Sequence, residues 1–252
     1  MLVLRSALFN LLYYVNLILW MLVFLPLFLL PRIWFIRVAQ AQARSSLWLL
    51  RVVAGVRLEV RGRERIPAGG LIVASKHQSL WETFALFTVF DDPCYILKRE
   101  LMWIPIFGWF TIKGGMVPIN RRGGATALAA MNARARHEVR ERRRQIIIFP
   151  EGTRRAPGAE PSYKYGVAHL YATLGVPLLP VALNSGLYWP RRRFIRRPGT
   201  IVVEIGEPIP PGLDRDVVFR ELQASVEAMS GRLLLEGRRE LGLDGAGDRS
   251  AA

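Results

Sequence analysis

The chain has 252 residues, about half of them hydrophobic, and a formal net charge of +15. That much apolar material excludes a disordered chain, whose low hydrophobicity could not offset the entropy of ordering, and the length allows one large domain or a medium domain with an attached membrane element. A surface this basic attracts anionic lipid headgroups, nucleic acid or an acidic carrier protein, while the single cysteine, Cys94, excludes an intrachain disulfide and a four-cysteine zinc site and fits a reducing compartment.

The chain opens on a stretch of 26 uncharged residues from Ser6 to Pro31, most of them Leu, Phe, Val, Ile, Trp or Tyr. About 20 such residues in a helix cross a bilayer core. The stretch is too long for a cleavable signal peptide, and Pro31-Arg32-Ile33-Trp34 offers no small-residue cleavage site. Asn10, Asn16, Pro26 and Pro31 interrupt it, so a spanning helix and an in-plane hairpin both satisfy the pattern. Arg32, Arg37, Arg44 and Arg51 follow with no acidic residue among them. By the positive-inside rule that flank is cytoplasmic. Trp34, Phe35, Trp48 and Leu49 interleave with these arginines, as expected of a helix in the headgroup region. Residues 1–55 are therefore expected to form membrane-attachment helices.

From Val56 the pattern becomes that of an α/β domain over residues 56–241. Short apolar runs bounded by turn signals predict strands at Val56–Val60, Leu71–Ser75, Cys94–Leu97, Met116–Ile119, Gln145–Phe149, Leu178–Leu183 and Ile201–Ile205. Helices are predicted over Thr126–Arg144, where Leu128, Met131, Ala135 and Val139 recur at three- and four-residue spacing, and over Gly166–Leu174 and Asp214–Glu236. Helices alternating with strands predict one mixed sheet covered by helices. The small, polar tail 242–252 is expected to be disordered.

Of the three histidines, His77 stands out. It follows the apolar run Leu71–Ser75, where a loop begins, and Glu82 comes five positions later. A helix starting near Ser79 would bring the Glu82 carboxylate back to one ring nitrogen, leaving the other as a base. His137 lies in an arginine-rich, solvated helix face, and His169 reads as a helix-packing position. A second constellation, Phe149-Pro150-Glu151-Gly152-Thr153-Arg154-Arg155, also follows an apolar strand. Its glycine lets the backbone approach an anion, and its arginines offer a planar fork of donors suited to phosphate. Arg121 and Lys98 add two further basic strand ends. Such ends converge on one edge of a sheet, where α/β sites usually lie.

This ordered set resembles the lysophosphatidic acid acyltransferases (1-acyl-sn-glycerol-3-phosphate O-acyltransferases) and their glycerolipid acyltransferase relatives. The family's His-x4-acid motif falls on His77 and Glu82. Its apolar strand ending in arginine falls on Gly115–Arg121, and Phe-Pro-Glu-Gly-Thr-Arg is matched in full at Phe149–Arg154. The Val-Pro and Pro-Val run falls on Val176–Val181, and Lys98 and the Lys164-x-Gly166 pair sit where the family has them. Two positions depart: Glu82 replaces the usual Asp, and Asn120 replaces the Asp before Arg121.

The resemblance implies a single acyltransferase domain that moves an acyl chain from a thioester to the free hydroxyl of a lysolipid. His77 would be the general base and Glu82 its orienting carboxylate. Lys98, Arg121, Glu151, Gly152, Thr153 and Arg154 would serve the acceptor's phosphate, with Glu151 and Gly152 shaping the loop and helping to place an oxyanion donor. The resemblance implies no metal and no cofactor, with acyl-CoA or acyl-acyl carrier protein as co-substrate. The implied setting is the cytoplasmic face of a membrane, the bacterial inner membrane. The sequence leaves open another acceptor such as a lyso-ornithine lipid. A non-catalytic basic membrane-binding protein would leave the His77–Glu82 pair unexplained. Nucleic acid is not expected as a partner, because the aromatics concentrate in the apolar segment rather than along a basic stripe.

Overall fold

The seven strands join in one sheet of order β1-β7-β6-β2-β5-β3-β4, as seen in a computed structural model that describes residues 1–120 and 123–243. The strands are β1 Val56–Arg61, β2 Leu71–Ser75, β3 Pro93–Lys98, β4 Val117–Ile119, β5 Gln145–Ile148, β6 Leu178–Leu183 and β7 Gly199–Ile205. Every adjacent pair is parallel except β6 and β7. Strands β2 to β6 therefore all end on one edge, with His77, Lys98, Asn120 and Phe149 at or just beyond the ends of β2, β3, β4 and β5, and Ser185 just past β6. Arg121 and the tail from residue 244 lie outside the described residues.

The expected mixed sheet is present, and alternation along its strands sorts the core into two layers. Leu71, Val73, Ile147, Leu179 and Val181 face one apolar cluster, and Ile72, Ala74, Ile146, Leu178 and Ala182 face the other. This is the two-residue period of a sheet buried on both sides. Helices α5 Gly124–Arg140, α6 Gly166–Leu174 and α8 Arg215–Glu240 cover the second face. The first face is covered by α1 Leu2–Phe24, α2 Arg32–Leu49, and the short α3 Glu82–Ala85 and α4 Phe107–Lys113.

Helix α1 and the turn after it form an apolar rod, Leu2–Leu29, long enough to cross a membrane. Four of its polar residues turn towards the protein. Asn16 donates to Ser46 at 3.1 Å, Trp20 to Ser45 at 2.9 Å, and Ser6 and Asn10 receive the Arg196 backbone and guanidinium at 2.9 and 3.0 Å. Phe9 and Tyr13 pack against Trp189 at 5.3 and 5.6 Å. Leu8, Leu11, Val15, Ile18, Leu19 and Leu22 remain exposed. The two asparagines that interrupt the apolar stretch are thus its attachment points to the domain.

The helix expected over Thr126–Arg144 ends at Arg140. Arg143 takes a left-handed conformation, with φ 54°, and the turn drops Arg144 into the core instead of onto a solvated face. Arg144 is fully buried and uses its whole donor fork. It reaches Asp92 at 3.0 Å, Glu138 at 2.8 Å and the carbonyls of Pro93, Gly114 and Gly115 at 2.9 to 3.1 Å. Asp92 in turn takes a bidentate pair from Arg32 at 2.7 and 2.8 Å, which pins the start of α2 to the sheet. Arg144→Ala would leave the buried Glu138 and the partly buried Asp92 without this partner. The expected loss is about 3–5 kcal/mol of stability, read as a lowered denaturation midpoint of the detergent-solubilised protein. Arg144→Lys, which lacks the fork, should recover only part of it.

Candidate active site

The segment after β2 builds its own geometry. Ser79 and Glu82 form half of a capping box at the turn that leads into α3, with Glu82 reaching back to Ser79 while Ser79 Oγ bonds within the turn. Ser79 Oγ accepts the Trp81 N–H at 3.2 Å, and Glu82 Oε1 accepts the Ser79 N–H at 2.6 Å. The same Oε1 also accepts the Gln78 N–H at 2.7 Å and lies 2.8 Å from His77 Nδ1. The other carboxylate oxygen, Oε2, accepts Ser185 Oγ at 2.8 Å. Glu82 is fully buried, and the polar groups on its two oxygens supply the partners that a buried carboxylate needs. With Glu82 Oε1 as the acceptor, the tautomer that fits this contact carries its proton on Nδ1 and leaves Nε2 with a lone pair.

The 149–155 loop grips His77 from the other side. Phe149 stacks on the imidazole with ring centres 4.0 Å apart and planes at 14°. Glu151 Oε2 accepts the His77 N–H at 3.3 Å, and the Arg155 N–H donates to the His77 carbonyl at 2.8 Å. The ring, both backbone polar groups and Nδ1 of His77 are therefore all held.

Gly152 closes the loop in a left-handed conformation, φ 67°, with its N–H on the Phe149 carbonyl at 2.9 Å. That N–H is engaged and does not point to an oxyanion. Glu151, grouped on sequence with the phosphate ligands, turns inward instead. Its side chain is buried and pairs with Lys76 Nζ at 3.0 Å. Lys76 is itself buried, pairs with Glu227 of α8 at 2.6 Å and lies 5.6 Å from the centre of the Tyr163 ring. Tyr163 donates to Glu227 at 2.8 Å. A carboxylate so placed shapes the loop and does not touch an anion.

Thr153 and Lys98 are exposed, Lys98 standing 3.6 Å from Glu100. Arg154 is partly buried. Its guanidinium is pushed down from its ordinary value by burial first and then by Arg191, with Arg192 adding to the effect and Glu82 opposing it. His137 is exposed, and His169 packs on α6 beside Tyr165 with Arg215 3.2 Å from its ring nitrogen; both lie outside this constellation.

Sequence reasoning missed three contributors: Lys76, Gln78 and Ser185. Ser185 opens the short helix α7, Ser185–Tyr188, just past β6. Gln78 accepts the Gly186 N–H at 3.0 Å, and a Cβ at Gly186 would meet Pro157 at 2.7 Å. Glycine is what allows α7 to approach so closely. The Ser79-x-x-Glu82 spacing was the available signal for the cap; no local signal marks Ser185, whose partner is 103 positions away in sequence.

Residues 57–184 match the family model described as Acyltransferase. A 1-acyl-sn-glycerol-3-phosphate acyltransferase of Pseudomonas aeruginosa is 38% identical over 199 residues, covering 79% of this chain and 77% of that protein. The human 1-acyl-sn-glycerol-3-phosphate acyltransferase alpha is 30% identical over 213 residues, covering 81% and 71%. The crystal structure of PlsC, the 1-acyl-sn-glycerophosphate acyltransferase of Thermotoga maritima, superposes with a TM-score of 0.70 over all of both chains at 23% identity, a likeness of fold.

Ser185→Ala would leave Glu82 Oε2 buried without its hydroxyl donor. It should cost about 1–3 kcal/mol of stability, read from the denaturant midpoint, with Ser185→Thr closer to the parent. An Ala variant indistinguishable from the parent would show that the hydroxyl does not hold Glu82.

Proposed function

The chain belongs to the lysophosphatidic acid acyltransferase family of glycerolipid acyltransferases, and on that premise we propose that His77 is the general base for acylation of 1-acyl-sn-glycerol-3-phosphate. The enzyme transfers an acyl chain to the sn-2 hydroxyl and yields phosphatidic acid. The observation that supports His77 in this role is its fixation on all sides, with Nδ1–H on the buried Glu82 and Nε2 left as the basic atom.

His77 Nε2 takes the hydroxyl proton as the acceptor oxygen attacks the thioester carbonyl carbon. Glu82 stays ionised, keeps the tautomer and stabilises the imidazolium that forms. When the tetrahedral intermediate collapses, the C–S bond breaks and the imidazolium returns its proton to the departing sulfur. The products are an ester and a thiol, and His77 is neutral again. Lys98, Arg121 and Arg154 serve the acceptor's phosphate, and Thr153 lies beside Arg154 in the exposed part of the loop. Glu151 and Gly152 set the shape of that loop. The thioester comes from coenzyme A or an acyl carrier protein. The exposed leucines of α1, with Trp34 and Trp48 exposed on α2, support seating in a bilayer from its cytoplasmic side, where acceptor and product reside.

Purified protein in detergent, given lysophosphatidate and an acyl thioester, should form phosphatidate. His77→Ala should lower kcat about 100- to 10,000-fold while keeping the parent's denaturation midpoint. Turnover of another lysolipid without phosphatidate would replace the acceptor. A folded His77→Ala protein as active as the parent would remove His77 from the chemistry.

A further inference from the structure

Beyond Arg154, a second set of arginines stands at the same loop. After α7 the chain runs Trp189-Pro190-Arg191-Arg192-Arg193-Phe194 and forms a tight turn, closed by the Arg193 N–H on the Pro190 carbonyl at 3.3 Å. The turn is built rather than loose. Arg196 donates from one nitrogen to the carbonyls of Arg193, Phe194 and Ile195 at 2.6, 3.1 and 3.2 Å, and its guanidinium lies 4.3 Å from the Trp189 ring centre. The turn is also fastened to α1, because Asn10 donates to the Phe194 carbonyl at 3.2 Å. On its other side Arg191 donates to the Arg154 carbonyl at 3.1 Å. The turn therefore bridges the apolar helix and the loop that holds His77.

Two further features mark the turn. Arg191, Arg192 and Arg193 are exposed, and among the described residues none of them, nor Arg154, makes an ion pair. Arg192 is held left-handed, φ 57°, a conformation that strains a residue carrying a β-carbon. Crowded, uncompensated cations beside a reaction site are relieved by an anion. Arg154 already feels that crowding, since Arg191 and Arg192 both oppose its charge.

We propose that Arg191 and Arg192 form, with Arg154, a second phosphate-binding arm that receives the phosphate monoester of the lysolipid acceptor. The proposal rests on the acyltransferase reading above. Its seat against α1 favours the acceptor over the donor: the exposed apolar face of that helix marks the bilayer side, and the acceptor's phosphate enters at headgroup depth. Three planar forks suit the three free oxygens of a phosphate monoester better than the single charge of a diester. Coenzyme A also carries phosphates, so the test must separate the two sources.

The measurement is steady-state kinetics with lysophosphatidate and two donors, acyl-CoA and acyl-pantetheine, the second lacking every phosphate. Arg191→Gln/Arg192→Gln should raise KM for lysophosphatidate about tenfold with either donor, while kcat stays within about twofold. Arg192→Gln alone, which leaves the Arg191 bond to the 149–155 loop in place, should show part of the same shift. Arg191→Lys/Arg192→Lys should recover part of the affinity, and added salt should shrink the difference. A rise confined to KM for acyl-CoA, absent with acyl-pantetheine, would assign the arm to the donor and overturn the proposal. Unchanged KM values would overturn it as well, while phosphatidate formed by the parent protein would leave the acyltransferase reading standing. No phosphatidate from the parent would overturn both.

Discussion

One buried carboxylate organises the site. Glu82 gathers four donors, from Gln78, Ser79, His77 and Ser185, on two oxygens. Two of these are backbone groups of the turn that Glu82 itself caps. The third orients the imidazole, and the fourth reaches across from the end of β6. A carboxylate at this depth is costly without partners, and these donors converge to supply them. The reverse also holds: the turn, His77 and α7 share their placement because they share that anion.

The second constraint comes from the sheet. Parallel β2, β5 and β6 deliver His77, the 149–155 loop and Ser185 to one edge. Contacts from outside the strands then lock them together. Lys76 pairs with Glu151 beneath the loop and with Glu227 on α8. Helix α8 lies beyond the residues that match the family model, yet it reaches the residue next to His77 through one buried ammonium. Buried pairs of this kind hold a specific arrangement more than they add net stability.

Much of this was legible in the residues. The strands, short apolar runs bounded by turn signals, appear within two residues of the expected limits, because a sheet buried on both faces leaves little choice for such runs. The pairing of His77 with Glu82 was readable as a spacing, and the structure shows how it is made. Glu82, three residues on from Ser79, reaches back to the Ser79 N–H and from there to the ring. Other features depend on tertiary placement and leave no local trace. Arg144 reads as one more helix arginine, yet a left-handed Arg143 sends it into the core. Glu151 reads as part of an anion loop, yet Lys76 draws its carboxylate inward. Asn10 and Asn16 read as interruptions of a membrane segment, yet they face protein partners.

Catalysis through His77 turns on the charge of Glu82, as distinct from its shape. Glu82→Gln keeps the length and the acceptor oxygen for the turn but removes the negative charge facing the imidazole. Its kcat for phosphatidate formation, compared with the parent across pH, is the most direct measurement. The expected result is a fall of about 100- to 10,000-fold in kcat with little change in KM for lysophosphatidate, in a protein that still folds. A folded Glu82→Gln variant that keeps the parent's kcat and pH profile would contradict it.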